Sequence, residues 1–160
     1  MDQSKLKDKL SYNRYTGEFF WLAKKGRYTC NDTVGYLSKR GYLRIKLNGK
    51  YYLAHRLAWL YVTGEWPKKF IDHINRDKSD NRFLNLRDVT HSQNQHNRLK
   101  QGKTKSKYKG ITHIKKPDKW QAQICVNSKS IYLGRFKTEK EAGESYITAC
   151  KKYHGDFATF

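Results

Sequence analysis

Residues 70–90 read Phe-Ile-Asp-His-Ile-Asn-Arg-Asp-Lys-Ser-Asp-Asn-Arg-Phe-Leu-Asn-Leu-Arg-Asp-Val-Thr, and the fold is read outward from them. Phe70 to Ile74 is a short apolar run broken by Asp72 and His73, residues 75–82 hold no apolar side chain, and Leu84 to Val89 form a second run. Two short runs around a polar loop predict a hairpin, and Thr90 with Gln93 three residues later predicts a capped helix after it. Strand, loop, strand and helix make a frame that can bring Asp72 and Asn94 to one cation.

One carboxylate and one amide oxygen suit a hard divalent ion that keeps several waters and takes a phosphate from its substrate. Mg²⁺ is the first expectation and Mn²⁺ the second. His73, with an ordinary pKa of about 6.5, can take a proton from water near neutral pH, while the cation offsets charge on the phosphate and the departing 3′ oxygen. Asn85, at the start of the second run, either ties the loop through its side chain or orients the imidazole. His55, Asn81 and Asn97 are expected in supporting positions around the site.

These residues resemble a known family. Ile71-Asp72-His73-Ile74-Asn75, then Asp80-Asn81-Arg82, Asn85-Leu86-Arg87 and Gln93-Asn94 through Asn97 are similar to the HNH, or ββα-metal, endonucleases of phage and intron origin, in the variant whose last histidine is asparagine. Ala54-His55-Arg56-Leu57-Ala58-Trp59 also looks like those enzymes. The resemblance implies Asp72 and Asn94 as metal ligands, His73 as general base and Asn85 as the residue that positions the histidine loop. It also implies a homing-type enzyme that nicks or cuts DNA to 5′-phosphate and 3′-hydroxyl ends.

Upstream, Glu18 to Leu22 is an aromatic run, and Leu43, Ile45 and Leu47 alternate with Tyr42, Arg44 and Lys46. Asn48-Gly49 follows at once, the strongest short hairpin signal, so this strand should pair with Lys50 to Leu53. His55 to Val62 predicts a short helix stopped by Gly64.

Downstream, 6 of the 12 residues from Arg98 to Lys109 are basic and none acidic, which reads as a phosphate-tracking linker. Gly110 to Ile114, Lys119 to Val126 and Ser130 to Phe136 predict three strands, and Thr138 to Tyr153 a helix capped by Thr138 and Glu141. Trp120, Ala122, Ile124 and Val126 should pack on the helix stripe Ala142, Tyr146, Ala149 and Tyr153. A polar face with His113, Lys115, Gln121, Gln123, Ser130 and Tyr132 is then left to lie in a DNA major groove. Tyr108-Lys109-Gly110-Ile111, Lys119 to Ile124, Tyr132 to Phe136, Thr138, Glu141-Ala142 and Tyr146 look like the DNA-binding domain of plant ethylene-response factors. That family reads the major groove with such a sheet.

The expected fold is therefore α+β: N-terminal antiparallel strands and a short helix lead into a ββα-metal nuclease motif, followed by a small three-stranded sheet plus helix. The expected division is a nuclease domain at 1–98, with the ββα core at about 70–98, a basic linker at 99–107 and a DNA-binding domain at 108–160.

Charge agrees with this plan. The chain has 34 Lys and Arg against 14 Asp and Glu, a formal +20 in 160 residues. Residues 1–50 carry +8 (12 − 4), 51–100 carry +4 (9 − 5) and 101–160 carry +8 (13 − 5), so the segment expected to hold a cation is the least basic. No apolar run reaches the roughly 18 residues of a spanning helix, and the start has no apolar signal core. Three scattered cysteines support neither a disulfide framework nor a structural zinc. The reading is a metal-dependent, site-specific DNA endonuclease, cytoplasmic in the host of a phage or mobile element and not secreted. It would act as a monomer on double-stranded DNA and nick one strand. The alternative is a DNA-binding regulator with an inactive nuclease module. Arg44, Lys46, Arg87, Lys103, Lys105 and Lys107 join the polar sheet face as expected DNA contacts.

Overall fold

A computed structural model describes residues 1–23, 26, 29–96, 105–126 and 129–155. The chain divides into two compact units, Met1–Thr90 and His91–Phe160, a boundary ahead of the 98/99 division expected from the linker composition.

The first unit runs α1 (Gln3–Lys7), β1 (Leu10–Tyr12), β2 (Phe19–Trp21), β3 (Tyr36–Leu37), β4 (Leu43–Leu47), β5 (Lys50–Leu53), α2 (Ala54–Thr63), β6 (Phe70–His73) and β7 (Leu86–Val89). Its strands form a β1-β2 hairpin, a three-stranded sheet β3-β4-β5 and a β6-β7 pair, each antiparallel. The Asn-Gly signal is met: Asn48 and Gly49 both take positive φ, 49° and 80°, and Leu47 pairs with Lys50 across the turn. Helix α2 ends where Gly64, at φ 84°, turns left-handed and bonds back to Leu60. Leu6, Leu10, Phe19, Ile45, Leu47, Leu57, Ala58, Ile71 and Leu86 meet in one buried cluster, so the β6-β7 pair is anchored in the same core as α2.

One expectation here is corrected. The second strand of the central hairpin begins at Leu86, because Phe83–Asn85 form a 3₁₀ turn and Leu84 stands 79% exposed. The turn carries the chain from the polar loop into the ladder, which a strand starting at Leu84 would leave no room for.

The second unit holds α3 (His91–His96), β8 (Ile111–Ile114), β9 (Lys119–Val126), β10 (Lys129–Phe136) and α4 (Glu139–His154). The sheet order is β10-β9-β8, antiparallel throughout. Thr138 and Glu141 form the expected reciprocal cap of α4. Ile111, Ala122, Ile124, Ala142, Tyr146, Ala149 and Cys150 make a separate core. Tyr153, expected on that stripe, is 41% exposed, and Cys150 takes the inward position. Residues 99–104 of the expected linker lie outside the described residues. Its end is docked: Glu139 Oε1 accepts from Ser106 Oγ at 2.9 Å and from the Lys107 amide at 2.8 Å. No helix among the described residues is long and apolar enough to cross a membrane.

Gly17, in the β1-β2 turn at φ 80°, lies against the polar loop, where an added Cβ would come within 2.5 Å of the backbone at Asn81 and Arg82. Gly49 is equally left-handed with open space around it. Gly17→Ala is expected to lose more stability than Gly49→Ala, which bears only the left-handed strain of about 1–3 kcal/mol. Thermal melts of the two variants check the order.

Candidate active site and sheet face

In the first unit the β6-β7 ladder sets Asp72 opposite Arg87 and His73 opposite Leu86. Arg87 donates through Nε and Nη2 to Asp72 Oδ2 at 3.0 and 2.8 Å, and the two side chains are only 16% and 9% exposed. Arg87, expected among the DNA contacts, is thus held inward by a cross-strand carboxylate.

His73, the last residue of β6, is buried against His55, the second residue of α2, with ring centroids 5.0 Å apart at 86°. Tyr42 flanks both, at 5.4 Å from His55 and 6.1 Å from His73. Lys78 Nζ lies 5.0 Å over the Tyr42 ring and donates to the Arg40 carbonyl. Burial lowers the His73 pKa, opposed by the Asn81 amide and by the carboxylates of Asp72, Asp80 and Asp77. Burial, then the neighbouring His73 and Arg56, lowers His55 to about 3. Both imidazoles are therefore neutral at neutral pH.

The loop from Ile74 to Asn85 is tied from inside by one side chain. Asn85 Oδ1 accepts from the Asn75 amide, and its Nδ2 donates to Asn75 Oδ1 and to the Asp80 carbonyl, each at 2.9 Å. Of the two readings of Asn85, tying the loop is the one its contacts display; they do not include the imidazole. Asn75 Nδ2 reaches Asp80 Oδ2 at 2.7 Å, and Arg82 grips both Asp80 oxygens at 2.8 and 2.6 Å. Arg82 is the chief reason that Asp80 is held down to about 2. Asn81 is 1% exposed, donates to the Ser79 carbonyl and, through its own carbonyl, accepts from Tyr12 Oη at 2.7 Å.

Asn94 lies in α3 of the second unit, half-buried. Asn97 lies outside the described residues, as does Lys103. Asp72 and Asn94 offer oxygen donors, the chemistry that fits a hard cation such as Mg²⁺ or Mn²⁺. Tyr42 was not expected beside His73, nor Lys78 over the Tyr42 ring, since nothing local in either segment marks them for it.

Residues 52–96 match the family model described as HNH endonuclease. Over that stretch the chain is similar to the HNH endonucleases. An HNH endonuclease of Acanthamoeba polyphaga mimivirus is 30% identical over 124 residues, 77% of this chain, and the matched part spans 64% of that protein. The HNH homing endonuclease I-HmuI, solved in a study of DNA binding and cleavage, aligns over 96% of this chain and 90% of its own, at 21% identity and a TM-score of 0.48. An AP2-like ethylene-responsive transcription factor of Arabidopsis thaliana is 42% identical over 52 residues, 31% of this chain and 9% of that protein. The HNH stretch includes His55, Asp72, His73, Asn85 and Asn94.

Outside the matched stretch, Arg44 and Lys46 on β4 both sit over the Tyr51 ring, at 5.2 and 5.4 Å, with Lys46 exposed. Lys105, Lys107 and Lys115 are exposed. In the second unit the open face is set by register. Tyr132 pairs with Gln123 and Ser130 with Cys125, and a bulge at Leu133 lets Gly134 pair with Ala122 and Arg135 with Gln121. Thr112 pairs with Gln121, while His113 pairs with Trp120, so His113 belongs to the helix-side face. There its ring lies 4.6 Å from Trp120 and its Nε2 is 2.6 Å from Asp118 Oδ1. His113 is thus corrected out of the exposed row, and Thr112 and Arg135 are added to it. The bulge moves Arg135 outward, an exchange of parity that strict alternation in sequence conceals; Gly134 was its one local sign.

Because His55 has a folded-state pKa far below the unfolded value of about 6.5, the fold favours its neutral form. That contribution is complete above about pH 6.5 and is lost as pH falls from there toward 3. Thermal midpoints are expected to fall between pH 7 and 4, and to fall less in His55→Gln. Parallel curves for the two proteins would contradict a neutral buried His55.

Proposed function

We propose that this chain is a metal-dependent, site-specific DNA endonuclease of homing type, which nicks one strand of a duplex as a monomer and leaves a 5′-phosphate and a 3′-hydroxyl. The observation that carries the reading is the His73 imidazole, neutral and walled by His55 and Tyr42, at the end of a strand whose preceding residue is the carboxylate Asp72, inside an HNH domain. HNH nucleases are in general divalent-metal dependent.

In the proposed reaction a ring nitrogen of His73 takes a proton from water as its oxygen attacks phosphorus, and the 3′ oxygen leaves and is protonated from solvent. Asp72 and Asn94 would hold the cation, Mg²⁺ or Mn²⁺, which when bound supplies charge stabilisation at the phosphate. Asn85 keeps the loop closed so that His73 and Asn81 stay where the strand leaves them. His55 holds the imidazole edge-on and excludes water behind it. The basic flanks and the open sheet face of the second unit, with Gln121, Gln123, Ser130, Tyr132 and Arg135, seat the duplex. The mimiviral relative fits a place in a mobile element; action in the cytoplasm of its host is part of the proposal.

A supercoiled-plasmid assay tests the chemistry. Nicking is expected in Mg²⁺ and not in EDTA, and His73→Ala should lose on the order of 10²-fold or more in rate with duplex affinity changed by no more than a few-fold. Full activity in that variant would remove His73 as the base, and normal cutting by Asn94→Ala at low Mg²⁺ would remove Asn94 from the metal.

The grip is tested by salt. Arg135→Ala should weaken duplex binding and lower the slope of log affinity against log salt by about one phosphate contact. Unchanged affinity and slope would take the sheet face out of the reading.

A further inference from the structure

We propose that Arg87 is the resident counter-charge of Asp72, so that the site takes up its divalent cation together with the DNA phosphate and not ahead of it. The inference rests on the reading of Asp72 as a metal donor and adds how that metal is loaded.

The register makes the pairing a built feature. Asp72 and Arg87 are directly opposed in the β6-β7 ladder, and two nitrogens of the guanidinium converge on one carboxylate oxygen at 2.8 and 3.0 Å. Both side chains are largely buried, where salt screens the pair little. A carboxylate so placed carries no net charge to the outside, because its −1 is matched by a +1 that cannot be deprotonated. A dication approaching Asp72 therefore meets a neutral pair and the repulsion of the guanidinium. A phosphodiester brings the missing negative charge and gives the cation a further oxygen ligand. Metal and duplex then raise each other's affinity by the same factor. The inward aim of Arg87 is also what distinguishes this role from a backbone grip.

Arg87→Gln removes the charge while keeping a donor for Asp72. Mn²⁺ binding to the DNA-free protein, followed by electron paramagnetic resonance, should tighten about tenfold or more, within the usual range for coupled sites. Arg87→Lys should stay within a few-fold of the wild type, because it keeps the charge. Unchanged or weaker Mn²⁺ binding in folded Arg87→Gln overturns the proposal and leaves Arg87 as an orienting group. The double variant Asp72→Asn with Arg87→Gln should lose the gain; a gain that persists there would show that the cation is not on Asp72, so the underlying reading fails instead. The wild type gives a test that needs no variant to fold: at matched ionic strength its duplex affinity should be about tenfold higher in Mn²⁺ than in EDTA. Equal affinities overturn the proposal.

Discussion

The central loop depends on one amide. Asn85 bonds the amide and side chain of Asn75 and the carbonyl of Asp80, so residues on both limbs of a loop with no apolar side chain are held by a single buried group. Such a loop has nothing of its own to bury, and its order must come from hydrogen bonds that water would otherwise take. Asn85 can act this way because the 3₁₀ turn Phe83–Asn85 points it into the loop, and because Leu86, the next residue, is fixed in the core. His73 leaves the same ladder one residue before Ile74, whose amide bonds to the Asn85 carbonyl at 2.9 Å. The position of the imidazole is thereby inherited from the core through the ladder and closed by the amide.

Electrostatics around this loop are more local than the charge of the chain suggests. A protein of formal +20 keeps Asp72 against Arg87, across the β6-β7 ladder, and Asp80 against Arg82, two residues on in the loop. The two histidines are held neutral by burial, and neither depends on a carboxylate partner for its state. The excess positive charge therefore resides mainly elsewhere, on exposed lysines such as Lys46, Lys105, Lys107 and Lys115.

What could be read from the sequence was what short-range physics decides. Asn48-Gly49 needed two left-handed residues and had them; Gly64 and the Thr138–Glu141 cap ended and began helices by satisfying backbone groups within a few positions. The HNH stretch was legible because its residue types and spacings are jointly restrictive. What was not legible came from pairing. Arg87 looked like any basic residue on a strand until the register set it opposite Asp72, and Tyr42 reached His73, as Lys78 reached Tyr42, only through the packing of distant segments. His113 was misplaced because alternation on one strand does not say which neighbour shares its face.

The bulge at Leu133 has a consequence for how this chain can vary. Upstream of it in β10, Ser130 and Tyr132 face out; downstream, the odd-numbered Arg135 does, while Phe136 turns to the core opposite Trp120. Single substitutions along the open row leave the core untouched, so that surface can drift freely. Loss of Leu133 would remove the bulge and leave Arg135 opposite Gln121 and Phe136 opposite Trp120, whereas one residue more at 133–134 would drive both to the wrong side. The strand is thus permissive to changes of letter, and at that one place to a shortening that would flip every side chain beyond it anywhere else.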